Sequence, residues 1–190
     1  MLNPGDRLGD WVVEARLGSG AMGSVYRCHH MVTQLTKAAV KVLDASVVGE
    51  GSPWFLREVG ALERLRHPGI VHIRNPGVDE KRGLFYLAMD LEEGETLKDL
   101  LSIGAMPVYR VCRLFGAVAE ALAFAHSNRI YHRDIKPSNI MVRPDGSPVL
   151  VDFGIATDLD ATAESDGNEV GTPSYMPPED RKSTRLNSSH

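Results

Sequence analysis

Cysteine is scarce in this chain of 190 residues: Cys28 and Cys112 are its two, far apart in sequence. Two such residues make no disulfide framework, and a reducing compartment is the natural setting. Cys28-His29-His30 has no second Cys/His pair at zinc spacing, so a zinc site is not expected there. Aromatics are 6% of the residues. Positive charge is not in excess either: Lys+Arg is 21 against 25 for Asp+Glu, a formal net charge of −4. That balance excludes nucleic-acid binding through bulk positive charge. No apolar run approaches the roughly 18 residues of a membrane-spanning helix. Residues 1–10 lack the basic and apolar regions of a secretory signal. What is present is ordinary: 43% hydrophobic and 24% charged residues, the balance of a soluble globular protein.

The apolar pattern changes period along the chain. Trp11–Leu17, Gly23–His30 and Leu35–Leu43 read as strands with turn residues between them. Ser52-Pro53 is an N-cap followed by proline at the first helical position, and Phe55, Val59, Leu62 and Leu65 continue at helical spacing. His67-Pro68-Gly69 stops that helix. Further strands are predicted at Ile70–Ile73 and Leu84–Leu91. Helices are predicted at Thr96–Ile103 and Pro107–Ser127, the second with Val108, Val111, Cys112, Phe115, Val118, Ala119, Leu122 and Ala125 on its apolar side. Short strands are predicted at Asn139–Val142 and Val149–Val151. Residues 155–175 are loop-like and carry acidic residues without Lys or Arg.

Four motifs carry chemistry. Gly18-Ser19-Gly20-Ala21-Met22-Gly23 precedes Ser24-Val25-Tyr26-Arg27, which is strand-like, so the glycines fall in a strand–turn–strand. A dinucleotide-binding glycine motif would open a helix instead. Side-chain-free turns let backbone N–H groups approach phosphate oxygens. Lys41 ends the apolar strand segment Ala38-Ala39-Val40, and Glu58 on the following helix is the carboxylate expected to pair with it. In His132-Arg133-Asp134-Ile135-Lys136-Pro137-Ser138-Asn139, an Asp can accept a hydroxyl proton, a Lys can neutralise a phosphoryl group and an Asn carbonyl can hold a metal ion. Asp152-Phe153-Gly154 puts a carboxylate just past a buried strand, which suits Mg²⁺.

Together and in this order the four motifs resemble the eukaryotic-type serine/threonine protein kinase family, over Gly5 to Glu179. His67-Pro68-x-Ile70-Val71 resembles the family's turn after its regulatory helix, and Gly171–Glu179 resembles the end of its activation segment. The Gly-Ala-Met-Gly turn is most similar to bacterial members. The resemblance implies an α+β, bilobal fold: a β-rich N-lobe at 1–90 and part of a helical C-lobe at 91–179. It implies ATP and Mg²⁺ as cofactors and protein Ser/Thr hydroxyls as acceptors, with no nucleic-acid partner and a cytoplasmic location. By motif position, Lys41 contacts the α/β-phosphates and pairs with Glu58. Asp134 is the catalytic base, Lys136 steadies the γ-phosphate, and Asn139 and Asp152 hold Mg²⁺. Val25, Ala39 and Met141 sandwich the adenine, Met89 is the gatekeeper, and Asp90, Leu91 and Glu92 form the hinge. Ala38 and Pro177 depart mildly from the family's usual Val and Ala. The alternative reading is an inactive nucleotide-binding kinase fragment or pseudokinase acting as a binding module. Lys136 and Gly171–Glu179 disfavour a small-molecule phosphotransferase.

Two expectations concern the last part of the chain. Thr162 and Ser165 are the candidate regulatory hydroxyls of the acidic loop, facing Arg133 if phosphorylated. Asp180–His190 resembles, at every residue, an in-frame translation of a common sequencing adaptor. The expectation is that 180–190 is not native sequence, that the C-lobe is incomplete, and that the 190-residue chain alone is poorly active.

Overall fold

The computed structural model describes residues 1–20, 23–44 and 59–153. Six antiparallel strands form the first sheet, in the order β1-β2-β3-β4-β6-β5. They are β1 (Arg7–Leu8), β2 (Trp11–Gly20), β3 (Gly23–His30), β4 (Lys37–Asp44), β5 (Ile73–Asp79) and β6 (Leu84–Asp90). Successive strand side chains alternate between faces, and the sheet uses both. Ala38, Val40 and Val42 of β4 pack with Leu8, Trp11, Val13, Tyr26, Cys28, Tyr86 and Ala88 on one face. Ala39 and Leu43 pack on the other with Leu87, Met89, Val59, Val71 and Val149. Lys41 shares the register of Ala39 and Leu43, so alternation alone turns it toward the second face.

The strand predicted at Ile70–Ile73 is corrected. Only an isolated parallel bridge, Ile70 to Leu150, forms there, and the strand begins at Ile73 and runs to Asp79. It contains Pro76, which a central strand excludes, but β5 lies at the sheet edge where the missing N–H is tolerated. Gly77 in the same strand makes room for the Tyr86 ring, which a Cβ would strike.

After β6 the chain passes through residues 91–94 into β7 (Glu95–Thr96), α1 (Leu97–Ile103) and α2 (Val108–Ser127). Thr96 caps α1, accepting a hydrogen bond from Asp99 N at 3.1 Å. A 3₁₀ turn (Pro137–Asn139) leads into β8 (Ile140–Val142) and β9 (Pro148–Leu150), which form a small sheet ordered β7-β8-β9. The α2 extent agrees with the sequence pattern, but its core face does not. Leu114, Val118, Ala121 and Ala125 are buried, against Leu97, Ile140, Val142, Leu150 and Phe153, whereas Val108, Cys112, Phe115 and Ala119 are exposed. Apolar residues surround much of this helix, so spacing alone does not choose between its two stripes. No described helix is long and apolar enough to cross a membrane.

Candidate functional site

The site lies between the two sheets and is built from the strand edges that face each other there. Its roof is the β2–β3 hairpin, with Gly18 opposite Val25, Ser19 opposite Ser24 and Gly20 opposite Gly23. A bulge between Arg16 and Gly18 bends the hairpin's tip. Gly23 has φ +131°, and a Cβ there would meet the Val42 carbonyl oxygen, so glycine is required at this turn. Ala21 and Met22 lie outside the described residues.

Below the roof is a chamber of about 470 Å³. Gly18, Val25, Ala39 and Met89 line it from the first sheet, Leu91 and Glu92 from the connecting segment, and Met141 from the second sheet. Asp90 also lines it, but its carboxylate is engaged by Arg74 Nε at 2.7 Å. Val71, Ser138 and Asp152, which stand in the quoted motifs, also line it, as do Leu17, Gly94, Glu95, Thr96, Asp99 and Val151, which no motif contains. Thr96 and Asp99 carry a usable signal, the helix-cap pattern at the start of α1. Behind Met89, a narrow apolar pocket is lined by Leu43, Leu62, Ile73 and Phe153.

A second chamber, about 370 Å³, adjoins the first. It collects Gly18, Ser19, Gly20, Gly23, Lys41, Asp134, Lys136, Asn139 and Asp152. These residues span most of the chain, yet they converge on one volume. Lys41 is buried, and its Nζ lies 2.9 Å from Asp152 Oδ1. A buried ammonium needs such a partner. The expected partner, Glu58, lies outside the described residues, and among those described it is Asp152 that meets Lys41.

The loop ahead of the 3₁₀ turn is held by its own side chains. Asp134 Oδ2 accepts from Asn139 Nδ2 at 3.0 Å and sits 2.6 Å from Lys136 Nζ. Asn139 Nδ2 also donates to Asp134 O at 2.9 Å. That leaves the Asn139 carbonyl oxygen on the opposite side of the amide. His132 is 1% exposed. Its Nε2 donates to Val151 O at 2.9 Å, and Asp134 N donates to Nδ1 at 3.4 Å, so the ring is neutral with its proton on Nε2. Burial pushes its pKa below the usual histidine value, opposed by the hydrogen bond to Val151. The His132 ring packs on Phe153 with centroids 4.5 Å apart. Histidine thus couples the Asp134 loop to the segment bearing Asp152.

Two non-glycine residues of this region have left-handed backbone: Arg133 at φ 62° and Asp152 at φ 60°. Such conformations cost free energy and persist where the surroundings impose them. Each aims the chain at the second chamber, one just before Asp134 and one at the carboxylate itself.

The donor set suits a magnesium ion. Mg²⁺ takes oxygen ligands, few of them from protein, the rest from phosphates and water. Asn139 and Asp152 offer an amide and a carboxylate oxygen into one chamber. Among the described residues no three His, Cys, Asp or Glu side chains cluster as an all-protein cage.

Residues 11–189 match the protein kinase domain family. The chain belongs to that family. Among curated relatives, serine/threonine-protein kinase PknF of Mycobacterium tuberculosis is 38% identical over 94% of this chain and 39% of its own length. Serine/threonine-protein kinase PrkC of Bacillus subtilis is 35% identical over 86% of this chain and 25% of its own length. The chain therefore spans about 39% or less of these relatives. Among solved structures, the PknI kinase domain of M. tuberculosis superposes with a TM-score of 0.72 at 31% identity, covering 87% of this chain and 71% of that one. The bilobal kinase arrangement expected from the motifs is thus the fold of the chain, with an N-lobe sheet and the start of a helical C-lobe.

Proposed function

We propose that the gene product transfers the γ-phosphoryl group of ATP to Ser or Thr hydroxyls of proteins, in the cytoplasm where ATP is abundant. The convergence of Lys41, Asp134, Lys136, Asn139 and Asp152 on one chamber beside an apolar slot carries this reading. Adenine fits the slot between Val25 and Ala39 above and Met141 below. Lys41, held by Asp152, presents its ammonium to the α/β-phosphates. The glycine-rich hairpin brings backbone N–H groups over the same phosphates. Asn139 and Asp152 would hold Mg²⁺, which would supply positive charge against the phosphates.

Asp134 accepts the proton of the acceptor hydroxyl as its oxygen bonds to the γ-phosphorus and the bond to ADP breaks. Asn139 and Lys136 orient that carboxylate. Lys136 also offsets charge on the transferring group. Pairs of well-placed charged groups suffice here, because phosphoryl transfer in this class depends on positioning and electrostatics. The alternative of a nucleotide-binding module without turnover predicts binding alone.

Phosphoamino-acid analysis after incubating the full-length gene product with labelled ATP, Mg²⁺ and a generic protein substrate tests the reading. Phosphoserine or phosphothreonine is expected, and Lys41→Met should abolish most of it. Label confined to tyrosine, or nucleotide binding with no transfer, would contradict it.

A further inference from the structure

The segment linking the lobes is gripped from outside the cleft. Glu92 lines the chamber assigned to adenine, yet its carboxylate turns to Arg143, accepting from Nε at 2.7 Å and Nη2 at 2.9 Å. This is a two-pronged, charge-assisted contact, which fixes orientation as well as distance. The side chains are 31% and 14% exposed, so the pair is largely shielded, unlike a solvent-borne surface pair. The third guanidinium nitrogen, Nη1, donates to Pro68 O at 3.0 Å.

Arg143 itself has a fixed base. Its N–H donates to Ser147 O at 2.9 Å, and its carbonyl accepts from Gly146 N at 2.8 Å, closing the β8–β9 turn. The 67–69 turn is anchored to β9 in its own right, since Leu150 N donates to Gly69 O at 2.9 Å. One guanidinium therefore joins the inter-lobe segment, the turn before Ile70 and the β8–β9 hairpin. Two residues beyond Glu92, Gly94 lies so close to Val142 that a Cβ would strike its carbonyl oxygen. Glu95 and Thr96 then pair with Val142 and Met141. The segment is thus tied to β6 at one end and β8 at the other, with Arg143 gripping its middle.

We propose that Arg143 is a positioning residue for the nucleotide: through Glu92 and Pro68 it holds the 91–93 backbone at the depth the adenine edge requires. This rests on the ATP reading above. Arg143 touches no part of the ligand in this scheme, so its loss should act on nucleotide affinity more than on the chemical step.

The test uses the full-length gene product, with fluorescent ATP-analogue binding and steady-state kinetics. Arg143→Met should weaken nucleotide binding and raise KM for ATP by roughly five- to tenfold, with a much smaller change in kcat. Arg143→Lys, which keeps the charge and a donor toward Glu92, should lose less affinity than Arg143→Met. Thermal melting of each variant separates a local effect from unfolding. Unchanged affinity in folded Arg143→Met overturns the proposal. So does a loss that falls on kcat alone. If the parent protein binds no ATP, the functional reading fails instead, so the two failures are distinguishable.

Discussion

Lys41 is a cation placed by strand alternation on an apolar face, and among the described residues its contact with Asp152 offsets that burial. His132 solves a related problem by staying neutral. Its folded-state pKa is depressed by burial, so below the ordinary histidine value near 6.5 the unfolded chain takes up a proton that the folded chain resists. Stability should therefore be fully present above about pH 7 and fall as pH drops through about 6.5. His72, also lowered chiefly by burial, contributes in the same window. His132→Gln keeps a donor toward Val151 O, and denaturant titrations from pH 7.5 to 5.5 should show a shallower loss than in the parent. An unchanged pH slope would remove His132 from this account. The cysteines divide by burial in the same way. Cys28 is 0% exposed and its thiol is pushed up to about 12, first by desolvation and then by Glu14. Cys112 lies on the exposed stripe of α2. Mass spectrometry after iodoacetamide treatment at pH 8 should find Cys112 modified in the native protein and Cys28 only after denaturation.

Among elements, the inter-lobe segment approaches β8 closely. Gly94 has φ +138° and no room for a Cβ against Val142. Gly94→Ala should cost about 1–3 kcal/mol in urea unfolding, through backbone strain and displacement of β7. A midpoint within error of the parent would show that the segment relaxes freely. The elements also show what a sequence can disclose. β3 is legible over Gly23–His30 because turn residues bound the run and Tyr26 and Cys28 alternate with exposed Arg27. The two-residue strands β1 and β7 are not, since two residues have no period, and pairing with distant partners defines them. β5 lies beyond the predicted Ile70–Ile73 segment because it contains Pro76 and Gly77, and the sheet order reveals an edge where they are allowed. In α2, Val118 and Ala125 were rightly placed in the core, while Val108, Cys112, Phe115 and Ala119 were not. The residues that the motifs single out, Lys41, Asp134, Lys136, Asn139 and Asp152, line one chamber, because chemistry restricts which side chains stand at which spacing. The Arg143–Glu92 tie is not legible in the sequence, since each is an ordinary surface charge until the fold places them together.

At the scale of the molecule, a cleft between two sheets assembles groups from residue 18 to residue 152, and that assembly is the argument for phosphoryl transfer. The central claim is that Asp134 acts on the acceptor hydroxyl within this assembled site. The most direct test is the initial rate of γ-phosphoryl transfer to protein Ser/Thr by the full-length gene product and its Asp134→Asn variant, at matched fold and saturating Mg²⁺ and ATP. A fall of about 10²–10⁴-fold, with nucleotide affinity retained, is the expected result. Transfer by folded Asp134→Asn at the parent rate would contradict the account.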